Sequence, residues 1–265
     1  MKTDPFLWSP VPSPEAEATE EEKEQVIRSV RETLLPFAEA PYREFQASLL
    51  PALPRQAILG VRTPALRRLA KTLRGTREAT VFLSCLPHGC FEENQLHAFL
   101  LEQVQDRQTV FAALEAFLPY VDNWATCDQM NPPVLGQNLP ELYAHCIRWL
   151  HGDTVYTVRY GVVTLMRYFL GASHPGDAFP CDDLTAEVLA QAADVVCNGP
   201  LKQAYYVQMA VAWLFATALS FRWERTLSFL RTNPLPPAVL KMTLRKAQDS
   251  YRIPPERKVQ LRIFR

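Results

Sequence analysis

Four side chains of the sequence combine a carboxylate, a guanidinium and two indoles, namely Asp128, Arg159, Trp124 and Trp213. Trp124 and Asp128 stand four residues apart in VDNWATCDQM, so in a helix they share one face. Arg159 lies in the apolar segment TVYTVRYGVVTLMRYFL, and Trp213 lies in YYVQMAVAWLFATAL. We expect the four side chains to line one aromatic, charged cleft that suits a cationic, flat or sugar-like ligand.

Each of the four residues also has a plain structural interpretation. Trp124 and Trp213 fit an apolar core, which is the usual place of a tryptophan in an apolar helix. Asp128 fits a cap or an ion pair with a neighbour. Arg159 must be paired or must face a cavity, because the segment around it is apolar. It fits either a buried ion pair or a contact to phosphate, for which a planar guanidinium is well suited.

Basic side chains are concentrated in two parts of a chain whose formal net charge is zero. Residues 41–79 carry a net charge of +6 and residues 201–265 carry +9, whereas residues 1–40 carry −5 and residues 80–200 carry −10. These zones predict either a groove for a polyanion or two solvated helix faces that balance an acidic middle. The candidate phosphate contacts are Arg62, Arg67, Arg68, Lys71, Arg245, Lys246 and Arg252. Such contacts contribute affinity and salt dependence rather than base specificity.

The segment EENQLHAFLLEQV places Glu93 and His97 four residues apart, as in half of a metal site or an acid–base site. No second carboxylate–histidine pair matches it, so we expect this pair to form hydrogen bonds inside a packed helix. The six cysteines show no metal-binding spacing, and the sequence has no phosphate-binding loop, dinucleotide-binding motif or nucleophile elbow. We therefore expect no metal and no cofactor.

Helical periodicity covers nearly the whole chain after residue 18. Residues 1–18 contain four prolines and little periodic apolar content, so we expect a flexible arm followed by a single helical domain over residues 19–265. Thr19, followed by acidic residues, predicts the first N-cap. The predicted helices span residues 19–36, 41–51, 63–74, 76–86, 91–105, 107–118, 123–130, 132–151, 153–171, 182–197, 200–220, 221–232, 236–250 and 255–263.

The predicted fold class is all-α, because only nine glycines occur and the alternating pattern of strands is absent. Short helices with short connections are typical of stacked antiparallel helix pairs, which form a curved α-solenoid. No repeat of fixed period is present, so periodicity alone leaves a HEAT-like superhelix and an irregular bundle open. We expect no transmembrane segment and no signal peptide, and therefore a cytoplasmic protein, most simply a monomer.

Five segments of the chain resemble the AlkD-like family of DNA alkylation repair glycosylases, which are built from HEAT-like repeats. The segments are ILGVRTPALRRLAK, EENQLHAFL, VDNWATCD, VRYGVVTLM and YYVQMAVAWLFA, and together they cover roughly residues 41–250. The resemblance implies a HEAT-like solenoid whose partner is double-stranded DNA, alkylated or branched. It also implies hydrolysis of the N-glycosidic bond of cationic N3- or N7-alkylated purines, without a cofactor.

The resemblance implies a role for each of the four residues. A Trp-x-x-x-Asp pair, a later helical arginine and a later tryptophan line the DNA cleft of that family. Carried over to this sequence, Asp128, Trp124 and Trp213 are the catalytic residues, and Arg159 contacts DNA.

The N-terminal region departs from the pattern of the active glycosylases. It is acidic and broken by prolines where those enzymes have an extra helix pair that embraces the duplex. This departure favours a sibling branch with a trimmed lesion-sensing helix, and it bears on activity rather than on fold. A non-catalytic binder of damaged or branched DNA is therefore the alternative function, and a protein-interaction scaffold is a third.

Overall fold

A computed structural model of the protein describes residues 18–170, 182–233 and 235–264. These residues contain fourteen α-helices and no β-strand, which confirms the predicted all-α class. They form two compact units, one ending at Gln137 and the other beginning at Asn138. The predicted arm lies outside the described residues up to residue 17, and the single domain over residues 19–265 stays a prediction.

Seven of the described helices belong to the first unit, and pairs of them pack through their apolar faces. The fourth helix packs on the first, and the fifth packs on the third and the seventh. The helices are α1 (Glu20–Leu34), α2 (Ala40–Leu49), α3 (Thr63–Leu73), α4 (Arg77–Ser84), α5 (Phe91–Leu101), α6 (Arg107–Phe117) and α7 (Trp124–Gln129).

The other seven described helices belong to the second unit, where α11 packs on α9 and α13 and therefore lies between them. Helix α9 also packs on α8, which precedes it in the chain. The helices are α8 (Leu139–Leu150), α9 (Val155–Phe169), α10 (Asp182–Cys197), α11 (Tyr205–Phe221), α12 (Trp223–Thr232), α13 (Pro237–Asp249) and α14 (Pro255–Gln260).

Side-chain caps set where several helices begin. The Thr19 hydroxyl accepts a hydrogen bond from a backbone N–H of the first turn of α1, as the sequence predicts. The predicted helix over 132–151 was wrong at its start, because a short 3₁₀ turn over Pro133–Gln137 precedes α8. There the Asn138 side chain caps α8 by accepting from the Glu141 N–H at 3.3 Å. Helix α11 also starts later than predicted, since residues 199–204 form hydrogen-bonded turns.

Helix α5 is buried on every side although it carries several polar residues. The Glu92 carboxylate accepts three backbone N–H groups of the loop before α3, from Leu59 at 2.8 Å, Gly60 at 2.7 Å and Val61 at 3.1 Å. Gly60 has a φ of +92°, a conformation that favours glycine. Burial raises the pKa of the Glu92 carboxyl, and the three N–H donors act in the opposite direction. This carboxylate therefore ties the loop that leads into α3 to the centre of the unit.

Glu93 and His97 bind different partners. The Glu93 carboxylate accepts from the Arg31 guanidinium of α1 and from the Gly89 N–H at 2.7 Å. His97 Nδ1 lies 2.8 Å from His88 Nε2, and the His97 ring stacks on an aromatic ring of α6. Within the described parts of the chain, no group of three His, Cys, Asp or Glu side chains could hold a metal ion.

The buried histidine pair predicts that acid destabilises the fold. Burial lowers the pKa of His88 to about 4 and that of His97 well below its ordinary value, whereas the pKa of a histidine in the unfolded chain is about 6.5. Above about pH 6.5 both histidines are neutral in the folded and in the unfolded chain, and the folded state keeps its full stability. As the pH falls toward the folded pKa, the unfolded chain binds protons that the folded chain does not bind, so the free energy of unfolding decreases. We expect the free energy of unfolding, measured by urea denaturation, to fall by about 2 kcal/mol for each histidine between about pH 7 and 5.

Replacing His88 by phenylalanine separates the contribution of the histidine pair from the remaining pH dependence of the free energy of unfolding. The His88→Phe variant keeps a ring that can stack on Phe82, as His88 does at a centroid distance of 4.5 Å. It should therefore lose about half of the wild-type pH dependence assigned to the pair. Equal free energies of unfolding at the two pH values in the wild type would contradict the prediction.

Candidate functional site

Trp124 is the first residue of α7, and two kinds of contact hold its indole. The ring Nε1 donates to the Leu49 carbonyl at the end of α2, at 3.1 Å. The half-buried ring packs against a core cluster that includes Leu50, Ile58 and Phe91. One edge of the indole is therefore held by the first unit, and part of the ring is exposed.

Asp128 follows one helical turn later on α7, on the face that Trp124 occupies. The structure assigns the cap of this helix to Asn123, whose side chain accepts from the Thr126 N–H at 2.8 Å. Asp128 is therefore not the cap of its own helix, and its carboxylate is half-buried one turn from the indole.

Arg159 is buried in α9 of the second unit, with 5% of its surface exposed. Its Nη1 donates to the Tyr206 carbonyl in the first turn of α11, at 2.8 Å. The sequence allowed either an ion pair or a phosphate contact for this arginine. The structure shows, in addition, a hydrogen bond to a backbone carbonyl. That bond ties the guanidinium to the helix that carries Trp213.

Trp213 lies in the middle of α11 and is 37% exposed, which is unusual for a tryptophan in so apolar a helix. It lines a cavity of about 290 Å³ together with two predicted phosphate contacts, Lys246 of α13 and Arg252. Arg252 also lies over the Phe221 ring at 5.9 Å. The remaining lining residues are Ala216, Thr217, Ser220, Phe221, Asp249 and Ser250.

The cavity contains residues that the sequence did not single out, chiefly Phe221 and Asp249. Asp249 follows Lys246 by three residues on α13, so a helical-face argument applied to this cation would have found it. Phe221 is the last residue of α11, and no sequence pattern singled it out as a residue of the cavity. A cation next to a carboxylate beside an exposed indole makes this a polar, mixed-charge pocket.

Arg245 and Lys246 are adjacent in sequence but line different grooves. Lys246 belongs to the Trp213 cavity, whereas Arg245 lines an apolar groove with Leu240, Leu244 and Phe264. Consecutive helical residues point about 100° apart, so a cluster of cations in the sequence need not be a cluster in space. The structure therefore does not bring these two predicted contacts to one pocket.

Two of the four predicted cations around α3 engage acidic side chains of the same unit. Arg62 forms a two-pronged pair with Glu39, with N–O distances of 2.8 and 2.9 Å. Arg67 donates to Glu102, whose other oxygen accepts the Asn131 N–H at 3.1 Å. These arginines tie α3 to its neighbours, so a phosphate would have to share or replace their present partners.

The other two predicted cations of α3, Arg68 and Lys71, point into solvent. They stand three residues apart and share one helical face. Among the described residues, neither takes part in an ion pair within 4.0 Å. This face of α3 is therefore one part of the first basic zone that is open to a polyanion.

The four central residues divide between the two units. Trp124 and Asp128 lie together on α7, and Arg159 and Trp213 lie on α9 and α11, which pack against each other. Each pair is placed within its own unit. That all four line one cleft remains a prediction.

An all-α chain built from successive packed helices has the features expected of a helical-repeat protein. The family model of the DNA alkylation repair enzyme matches residues 30–246, and the chain belongs to that family. The match includes all four central residues and every predicted cation except Arg252. No curated protein matches the sequence.

Family membership supports a role in DNA alkylation repair, and it implies DNA as substrate or partner. It agrees with the resemblance carried by the five sequence segments. In the described part of the chain, no helix is long and apolar enough to cross a membrane.

Proposed function

We propose that this protein is a DNA glycosylase that hydrolyses the N-glycosidic bond of cationic N3- or N7-alkylated purines. The observation that carries the proposal is the Trp124–Asp128 pair on α7, which lies inside the family match. An indole held by the Leu49 carbonyl and the core stands one turn from a half-buried carboxylate. That arrangement suits a sugar on which positive charge develops.

Hydrolysis of this N-glycosidic bond depends on stabilisation of positive charge on the sugar more than on acid catalysis. An alkylated purine is already cationic, so the electron pair of the breaking C1′–N bond neutralises the departing base. The sugar becomes an oxocarbenium ion, and the Asp128 carboxylate stabilises that charge and orients a water molecule. The water oxygen then bonds to C1′, and its proton passes to the carboxylate and on to solvent. The indole faces of Trp124 and Trp213 favour the cationic sugar.

The cations supply contacts to the phosphates of the duplex. Arg68 and Lys71 present one open face of α3, and Lys246 and Arg252 border the exposed indole of Trp213. Arg159 is held rigidly by its bond to the α11 backbone, which suits a guanidinium that positions one phosphate. The remaining predicted DNA contacts are Arg62, Arg67 and Arg245.

A base-release assay tests the proposal directly. The wild-type protein should release N7-methylguanine from a duplex that contains it and should leave guanine in the matched unmodified duplex. Salt-dependent binding of the duplex without release would favour the non-catalytic DNA-binding protein. Absence of any DNA binding would favour the interaction scaffold.

The second basic zone predicts a measurable salt dependence of binding. Each neutralised phosphate contributes about 0.9 to the slope of log Kobs against log salt, so Lys246→Ala should reduce the magnitude of the slope by about one. The measurement is fluorescence anisotropy with a labelled duplex between about 50 and 200 mM salt. Lys23→Ala is the matched control, because Lys23 pairs with Glu20 on the acidic helix α1 at 2.7 Å. If the affinity of the wild type for the duplex did not change with salt, the prediction that the basic zones bind DNA phosphates would be wrong.

A further inference from the structure

Helix α2 exposes a row of apolar side chains that ends at the indole of Trp124. Tyr42, Phe45 and Leu49 stand at spacings of three and four residues and so follow one face of the helix. Phe45 is 56% exposed and Leu49 is 39% exposed. We call these three residues the apolar ridge, and with a rise of about 1.5 Å per residue it is about 10 Å long.

The contacts of the ridge join it to the candidate site. The Leu49 carbonyl accepts the Trp124 indole N–H at 3.1 Å, so the end of the ridge adjoins the Trp–Asp pair. At the other end, the Tyr42 and Phe45 rings lie 6.1 Å apart, and the Arg62 guanidinium lies 4.7 Å over the Tyr42 ring. The ridge therefore runs from Arg62, whose guanidinium also pairs with Glu39, to the candidate site.

Burial does not account for the ridge. Helix α2 turns a neighbouring side inward, about 90° around the helix axis from the ridge, where Gln46 and the following Leu50 are buried. A single exposed apolar residue is ordinary on a protein surface, whereas a row of exposed aromatic and aliphatic side chains next to a candidate site favours a binding surface.

We propose that the apolar ridge stacks against unpaired nucleobases next to the alkylated nucleotide. Aromatic side chains with nearby cations are the usual platform for unpaired bases, because every base has a face that can stack and every nucleotide has a phosphate. The net charge of +6 over residues 41–79 suits a nucleic acid strand. This inference rests on the proposed DNA function and adds to it a preference for DNA with a disturbed helix.

The ridge predicts that the protein discriminates between two forms of duplex. Two labelled duplexes of equal length would be compared by fluorescence anisotropy, one fully paired and one with a single unpaired thymine. The wild type should bind the bulged duplex about tenfold more tightly, and Phe45→Ala should lose most of that ratio, since stacking on one aromatic side chain commonly contributes such a factor. Phe45→Tyr, which keeps an aromatic face, should retain it.

A second exposed phenylalanine provides the control. Phe37 lies outside α2 and is 51% exposed, so Phe37→Ala removes an exposed ring that does not belong to the ridge and should keep the wild-type ratio. An equal loss in Phe37→Ala and Phe45→Ala would overturn the ridge as a specific surface. A wild type that binds both duplexes equally would overturn the ridge alone, whereas a wild type that binds neither would overturn the DNA function as well.

Discussion

Replacing Asp128 by asparagine is expected to slow the release of N7-methylguanine by about 10²–10³-fold, the usual cost of losing one preorganised electrostatic contact. Asparagine keeps the size and hydrogen-bonding capacity of the side chain, but it removes the negative charge that would stabilise the oxocarbenium ion. Because Asn123 caps α7, the substitution at position 128 should leave the helix in place. Single-turnover base release from a duplex with one lesion measures the effect.

The binding of DNA separates this effect from a structural one. Asp128→Asn should bind the lesion duplex with nearly wild-type affinity and should keep the helical circular dichroism spectrum of the wild type. Asp153→Asn is the matched control, since it removes the same charge from an exposed aspartate in the loop before α9. Release at the wild-type rate by Asp128→Asn would show that another group does the chemistry. Slow release by both variants would point to net charge rather than to the site.

Replacing Glu92 by glutamine is expected to destabilise the protein by about 3 kcal/mol. The carboxylate accepts three backbone N–H groups from residues 59–61, and an amide would turn one of its two acceptor atoms into a donor. At least one of the N–H groups would then face another donor and would lose its hydrogen-bond acceptor. A buried polar group without a partner destabilises the folded state. The free energy of unfolding from urea denaturation, followed by circular dichroism, is the measurement.

A surface glutamate shows whether this cost comes from burial. Glu32 is exposed on α1, so Glu32→Gln makes the same chemical change without burying an unsatisfied group. Its free energy of unfolding should stay within about 0.5 kcal/mol of the wild type. If Glu92→Gln were as stable as Glu32→Gln, the three hydrogen bonds would not be what holds the loop before α3.

Some of the candidate site follows from local geometry alone. A spacing of four residues puts Trp124 and Asp128 on one face of any helix, and the structure has that helix over Trp124–Gln129. The family resemblance, which the match over residues 30–246 confirms, also came from short segments in their order along the chain. Helix α8 shows the limit of periodicity, because Asn138 starts it later than the apolar pattern predicts.

The sequence by itself determined the all-α class, the order of the helices and the residues that could do chemistry, because caps and helical periodicity act between near neighbours along the chain. Only the tertiary structure decided which groups these side chains contact. Arg67 meets Glu102 across 35 positions of the sequence, and Arg159 meets the Tyr206 carbonyl across 47. Charge counting treated all cations alike, whereas packing paired some with acids and left others in solvent. Such contacts depend on how distant helices pack, and no local pattern encodes them.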